Sequence, residues 1–208
     1  MFDPTRFTLF LTAALLLAIT PGPGILYVMA RSLAGGRREG ILSSFGTLLG
    51  GLVHVFAAAA GVSAILATSA IAFSVVKYAG AAYLVYLGVR MIVTRKEAAQ
   101  DVEAAAPTGN AFVQGIVTEV LNPKTAIFFL SFIPQFVDAK AGSVFTQFVV
   151  LGVISVVLNT AADVVVAVFA GTIGRRLLSS VRARERQRAG TGAVMIGLGA
   201  YVAAADAN

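Results

Sequence analysis

Four ionisable side chains interrupt stretches of this sequence that are otherwise apolar: His54, Glu119, Lys124 and Asp163. A charge in an apolar medium persists only against a partner or a water-lined cavity, because removing it from water is expensive. Asp163 shares a helix face with Asn159, four residues earlier. A carboxyl group so placed suits a proton carrier, with an interhelical hydrogen bond as the structural alternative. Glu119 and Lys124 are five residues apart, a poor spacing for direct pairing on a regular helix. The Asn122-Pro123 step between them can bring them together. They read either as an ion pair or as parts of a binding site, with Lys124 directed to a carboxylate and Glu119 the reserve proton carrier. His54 is alone on its apolar segment and reads as a packed polar contact ahead of a ligand. The chain has no cysteine, which excludes disulfides and thiol chemistry. No nucleophile motif or HExxH spacing points to an enzyme.

The prolines near these groups have a chemistry of their own. Proline removes a backbone donor and clashes with the preceding turn, so Pro21 and Pro23 should break a helix at Thr20-Pro21-Gly22-Pro23-Gly24. Gly22 and Gly24 leave that backbone bare. A second break is expected at Leu121-Asn122-Pro123-Lys124. In hydrocarbon an unpaired carbonyl is costly, so such breaks survive only inside protein or beside water. The helix resuming after each proline offers N–H groups and a positive dipole end, which suit a carboxylate. The carbonyls before it suit an ammonium. Pro21, Gly22, Pro23, Gly24, Asn122, Pro123, Lys124 and Asn159 are therefore the candidate binding residues for a zwitterion, with Asp163 and Glu119 the candidates for proton coupling.

The elements that must position these groups follow from hydropathy. Of the 208 residues 58% are hydrophobic and only 12% charged, with a mean hydropathy of +0.86. Across residues 41–89 the sole Lys, Arg, Asp or Glu is Lys77, and across 141–174 it is Asp163. Since about 20 apolar residues cross a bilayer, the pattern predicts an all-α integral membrane protein. Six spans are expected near 7–30, 41–66, 71–93, 111–136, 144–170 and 190–205. The polar, Ala-rich stretch 95–110 reads as a flexible cytoplasmic linker within a single membrane domain, 1–208. It separates repeat one (7–94) from repeat two (111–205). Three spans per half make the repeat an inverted one, with broken first and fourth helices in matching positions. Tyr86-Leu87-Gly88 and Gly197-Leu198-Gly199 match faintly at its third spans.

Charge gives the orientation. Twelve Lys and Arg fall on one set of expected loops (31–40, 95–110, 175–189 and their flanks) against three (Arg6, Lys77 and Lys140) on the other. The richer set is expected to face the cytoplasm, with both termini outside. This topology signal accounts for the net charge of +6 without nucleic acid. The basic run 175–188 is in addition a weaker candidate for lipid headgroups. Gly46 and Gly50 form a GxxxG pair suited to close helix packing, and Tyr78, Tyr83 and Tyr86 read as interface anchors more than a pore lining.

The motifs resemble those of a known family. Thr20-Pro21-Gly22-Pro23-Gly24, followed by Arg31-Ser32-Leu33-Ala34-Gly35-Gly36-Arg37-Arg38-Glu39-Gly40, is similar to the first-span signature of the lysine-exporter and threonine-resistance (LysE/RhtB) family. Leu121-Asn122-Pro123-Lys124-Thr125, running on to Pro134-Gln135-Phe136, resembles its fourth-span signature, and Asn159-Thr160-Ala161-Ala162-Asp163 its fifth-span motif. Tyr86-Leu87-Gly88-Val89-Arg90 resembles the end of its third span. The resemblance implies a six-helix bacterial inner-membrane exporter of an amino acid or derivative, driven by the proton gradient through alternating access. Members commonly carry Asn or Asp where this chain has Gly24. No cofactor and no nucleic acid are expected; the partners are the substrate, protons and membrane lipid, with a homodimer left open. The alternative within transport is a metal or small-cation exporter, disfavoured by one His and no Cys.

Overall fold

The structure, a computed structural model, describes residues 4–20, 22–68, 70–96, 109–138 and 141–204, and these are helical with short connections. Helix α1 (Pro4–Ile19) is followed by α2 (Pro23–Thr68), α3 (Ala70–Val93), α4 (Ala111–Val120) and α5 (Pro123–Ile127). A π-helical turn (Phe128–Phe132) and a 3-10 turn (Ile133–Phe136) continue α5, and α6 (Val144–Ser179) and α7 (Val181–Ala204) complete the chain. Prolines open α1, α2 and α5, where the missing N–H has no helical acceptor to lose. Asn110 and Ser143 cap α4 and α6 by accepting from backbone N–H groups of the first turn.

Pro23–Ala64 and Val144–Ala170 are long and apolar enough to cross a membrane, and Ala111–Val120 with Pro123–Phe136 forms a third such unit bent by 46°. The surface agrees with that reading. Large apolar side chains such as Ile19, Phe56, Val157 and Phe169 are more than half exposed, whereas Glu119, Asn122, Lys124, Thr47 and Asp163 are buried. Apolar outside and polar inside is the arrangement of a membrane protein.

Both expected breaks are present: α1 ends at Ile19 and α2 begins at Pro23, while Leu121 and Asn122 separate α4 from α5. Pro21 itself lies outside the described residues, as do the central part of the linker, 97–108, and both chain ends. Two expected loops are not loops. Across 31–40 the chain stays helical apart from Gly36, whose φ of 80° and ψ of −178° turn one arm of α2 into the next. Across 175–189 the only interruption is Ser180. Charged, glycine-containing segments mark where hydropathy falls, and here the helices run on past that point.

The most extensive packing sets α2 against α6 and α4, and α3 against α7. Glycines make it close. A Cβ on Gly46 would strike the Phe112 carbonyl and one on Gly50 would lie 2.8 Å from the Ile116 carbonyl, so the GxxxG face seats α4 against α2. Gly51 faces Val156 while Gly152 faces Val55, and Gly88 faces Gly192 while Gly199 faces Ala81. Tyr78, Tyr83 and Tyr86 point outward.

Candidate functional site

The two helix breaks meet in the interior. In a continuous helix the Leu17 carbonyl would accept from residue 21, but residue 21 is proline and has no N–H. The structure supplies a substitute from the other half of the chain: the Lys124 Nζ donates to the carbonyls of Leu17 (3.2 Å) and Thr20 (2.9 Å). Lys124 is 8% exposed, and the missing side chain of Gly22 makes its room, since a Cβ there would sit 3.1 Å from Cδ and 3.2 Å from Nζ. The second break repeats the logic. The Glu119 carbonyl loses its helical donor to Pro123, and the His54 Nε2–H donates to it at 2.9 Å. The imidazole lies stacked on Phe129, ring centroids 6.2 Å apart. His54 is thus a packed polar contact as its isolation suggested, but a backbone-completing one.

Glu119 and Lys124 do not form an ion pair; the charged ends are engaged separately. The Glu119 carboxylate, 2% exposed, accepts from the Thr125 hydroxyl at 2.6 Å and from the Asn122 Nδ2 at 3.1 Å. Asn122 then uses its Oδ1 to accept from the Lys124 backbone N–H at 3.1 Å, capping α5. That N–H is consequently not free for a ligand. Gly24 accommodates the carboxylate: a Cβ there would come within 2.6 Å of the Glu119 Oε2. The space a side chain at position 24 would take is filled here by the acidic group of the opposite break.

Asp163 is fully buried. Its Oδ2 faces the Thr47 hydroxyl at 2.8 Å, and its Oδ1 has no partner. The same hydroxyl lies 2.9 Å from the Ser44 carbonyl. The Thr47 hydroxyl donates to both acceptors as a shared, three-centre contact. Asn159, one turn earlier on α6, presents an amide with no side-chain hydrogen bond among the described residues.

Between these groups lies a cavity of about 30 Å³ lined by Thr47, Glu119, Lys124, Thr125 and Asn159, with Ala14, Leu17, Ala18, Gly51, Phe128, Phe129 and Val156 supplying apolar wall. It has room for one or two water molecules. Of the candidate residues, Lys124, Glu119 and Asn159 line the cavity; Gly22, Gly24 and Asn122 stand behind Lys124 and Glu119, Asp163 reaches only the lining Thr47, and Pro23 and Pro123 act through the helices they open. Thr47, Thr125 and the backbone role of His54 were not anticipated. The proline positions do identify Leu17 and Glu119 as carbonyls that lose their helical donors, each keeping only a tighter-turn N–H from Thr20 or Asn122, which is the signal available in the sequence.

A second polar cluster closes one end of the bundle. Arg31, 5% exposed, donates to the Gly109 carbonyl at 2.8 Å, to the Gln114 Oε1 at 2.7 Å and to the Tyr27 hydroxyl at 3.1 Å. Tyr27 in turn donates to the Ala111 carbonyl at 2.7 Å. The side chain counted as a topology signal also ties α2 to the start of α4.

Comparison with known proteins adds the following. The family described as LysE type translocator matches residues 15–206. The leucine efflux protein of Enterobacter sp. (strain 638) is 33% identical over 153 residues, 72% of each chain. Leucine efflux proteins of Salmonella typhimurium (strain LT2) and Klebsiella pneumoniae subsp. pneumoniae are 33% and 31% identical, over 68% and 72% of each chain. No solved structure matches significantly.

Proposed function

The chain belongs to the LysE type translocator family, and from that premise we propose that it exports an α-amino acid with an aliphatic side chain, leucine being the first candidate. It is a transporter and not an enzyme. The observation that carries the substrate class is the meeting of the Lys124 ammonium, held on two backbone carbonyls, with the Glu119 carboxylate at one apolar-walled cavity. A zwitterion is the small molecule whose two charges both find complements there. The free amide of Asn159 is a further polar contact, and the wall from Ala14 through Phe129 suits a branched apolar side chain. Leucine efflux by relatives that share about a third of their residues supports the same choice.

The six spans are α1 with the first arm of α2, the second arm of α2, α3, the bent α4–α5 unit, α6 and α7. Their inverted-repeat arrangement is supported by paired contacts. A shift of 101 residues carries Gly51 to Gly152 and Val55 to Val156, so the contact Gly51–Val156 exchanges with Gly152–Val55. A shift of 111 does the same for Gly88–Gly192 and Gly199–Ala81. Orientation follows the charge bias, with both termini outside the bacterial inner membrane. Because the cavity is too small for an amino acid, transport requires the site to open alternately to each side.

Asp163 is the proton carrier in this reading. It is buried, only its Oδ2 is held by Thr47, and its Oδ1 is without a partner and available to a proton. Glu119, held by Thr125 and Asn122, is the reserve. The metal-exporter alternative gains nothing, since no three His, Cys, Asp or Glu converge among the described residues. The test is accumulation of a panel of radiolabelled amino acids in inside-out vesicles, with and without an imposed proton gradient. Leucine should accumulate only with the gradient. Asp163→Asn should lose that accumulation and keep exchange of internal for external leucine. Concentration of leucine by Asp163→Asn would remove the proton role from this residue, and a panel without any accumulated amino acid would remove the function.

A further inference from the structure

We propose that Lys124 is a tethered stand-in for the substrate's own ammonium, released from the first break only when a zwitterion takes both halves of the contact. The inference rests on the amino-acid export reading and adds the rule by which the site accepts one class of molecule and refuses its fragments. In this structure the two carbonyls bared by the Pro21 break are not left empty. Lys124 fills them with two of its three N–H bonds, and the third has no acceptor among the described residues. This is the position an incoming ammonium needs. The Lys124 ammonium also lines the cavity that the substrate must enter.

The energetics of exchange select for a zwitterion. An amine alone could take the Leu17 and Thr20 carbonyls, but it would leave the Lys124 ammonium buried, unpaired and beside a like charge. A carboxylate alone could draw Lys124 away, but among the described residues it would leave the Thr20 carbonyl without a donor and the Leu17 carbonyl with only the Thr20 N–H at 3.2 Å. An α-amino acid does both jobs at once. Its ammonium replaces that of Lys124 on the carbonyls, and its carboxylate receives the Lys124 ammonium, with no change in net charge. Discrimination thus comes from what each fragment leaves unsatisfied as much as from what it binds.

The surroundings are built for release on this side alone. Lys124 reaches its carbonyls on a flexible stem that passes the bare face of Gly22 and is not anchored by any ion pair, since Glu119 is occupied by Thr125 and Asn122. The donor at the other break is an imidazole stacked on Phe129, with only one methylene on which to swing.

Calorimetric titration of the purified full-length protein with leucine, 3-methylbutylamine and 4-methylpentanoate tests the proposal. The wild type should bind leucine and bind each fragment at least about tenfold more weakly. Lys124→Met removes the like charge and leaves the carbonyls bare, so the amine should bind at least about tenfold better than to wild type while leucine weakens, inverting the preference. Gly22→Ala keeps the ammonium but presses on its stem, and should shift the same ratio toward the amine by a smaller factor. It decides the matter if Lys124→Met does not fold. If neither variant gains amine affinity, Lys124 is a fixed brace and the inference falls, although leucine export by the wild type would still stand. A wild type that binds the amine as well as leucine overturns the selection rule outright. A wild type indifferent to leucine removes the parent reading and this inference with it.

Discussion

The two helix breaks solve one problem with different parts. Each begins with a proline that strips a carbonyl of its donor, Leu17 at the first and Glu119 at the second, and each is completed by a side-chain N–H from the opposite half of the chain. At the first break the donor is a charged amine on a four-carbon stem with a hydrogen to spare. At the second it is an imidazole held flat against Phe129. A charge on a flexible stem can be drawn off by a ligand of opposite sign, whereas a ring fixed in a stack on a single methylene has little freedom to follow one. Matching breaks therefore need not do matching work: the first is equipped to open, the second to hold the frame against which it opens.

The comparison breaks most completely if the first break is abolished. Pro21→Ala with Pro23→Ala restores the donors that a continuous helix would use, so the Leu17 carbonyl would pair within the helix and the site for an ammonium would disappear. Vesicle uptake should fall to background with the protein still present in the membrane. Normal transport would reduce the break to a packing feature.

A smaller effect is expected where the second break's acidic group meets the first break's backbone. Gly24→Ala places a methyl 2.6 Å from the Glu119 Oε2 and must push the carboxylate off Thr125 and Asn122. Substrate affinity measured by calorimetry should drop about tenfold, roughly 1.4 kcal/mol, with transport of saturating leucine retained. Unchanged affinity would mean that the carboxylate has room to move and that its position does not matter.

The smallest effect on transport should come from His54→Phe, which keeps the stack on Phe129 and deletes the donor. The Glu119 carbonyl keeps the Asn122 N–H at 3.0 Å, so losing its second donor should cost about 1 kcal/mol of stability, read as a lower unfolding midpoint in denaturant, while leucine uptake stays near wild type. In a Pro123→Ala background, where the backbone N–H is restored, the same substitution should cost less. Equal costs in both backgrounds would sever His54 from the proline and dissolve the parallel.

Much of this arrangement was legible in the sequence, and for identifiable reasons. Proline acts locally, so Pro21 and Pro123 gave away the breaks and the carbonyls that lose their helical donors. Charges at depth are expensive, so Glu119, Lys124 and Asp163 could be singled out without knowing their neighbours. The partners could not be read, because they are tertiary: Lys124 reaches back 107 residues to Leu17, and His54 reaches forward 65 to Glu119. The expected loops at 31–40 and 175–189 failed for another reason. Hydropathy reports where lipid ends, whereas a helix ends where its backbone turns, and at 31–40 only Gly36 turns. Thr47 was overlooked because a hydroxyl on an apolar helix is unremarkable until its two acceptors are seen together.

The cross-bracing of the breaks has a consequence in time. Ribosomes deliver the chain from its N-terminus, so the two prolines are not served in the same order. When the second break enters the membrane, His54 has been made and is waiting for it. When the first enters, Lys124 is still 107 residues from the Leu17 carbonyl along the chain and has not yet been synthesised. For that interval the opening segment carries an uncompleted backbone, which favours keeping it at the water boundary or against the insertion machinery until the fourth helix arrives. The last bond of the first span is thus made by the second half, and the protein's assembly finishes where its transport cycle begins.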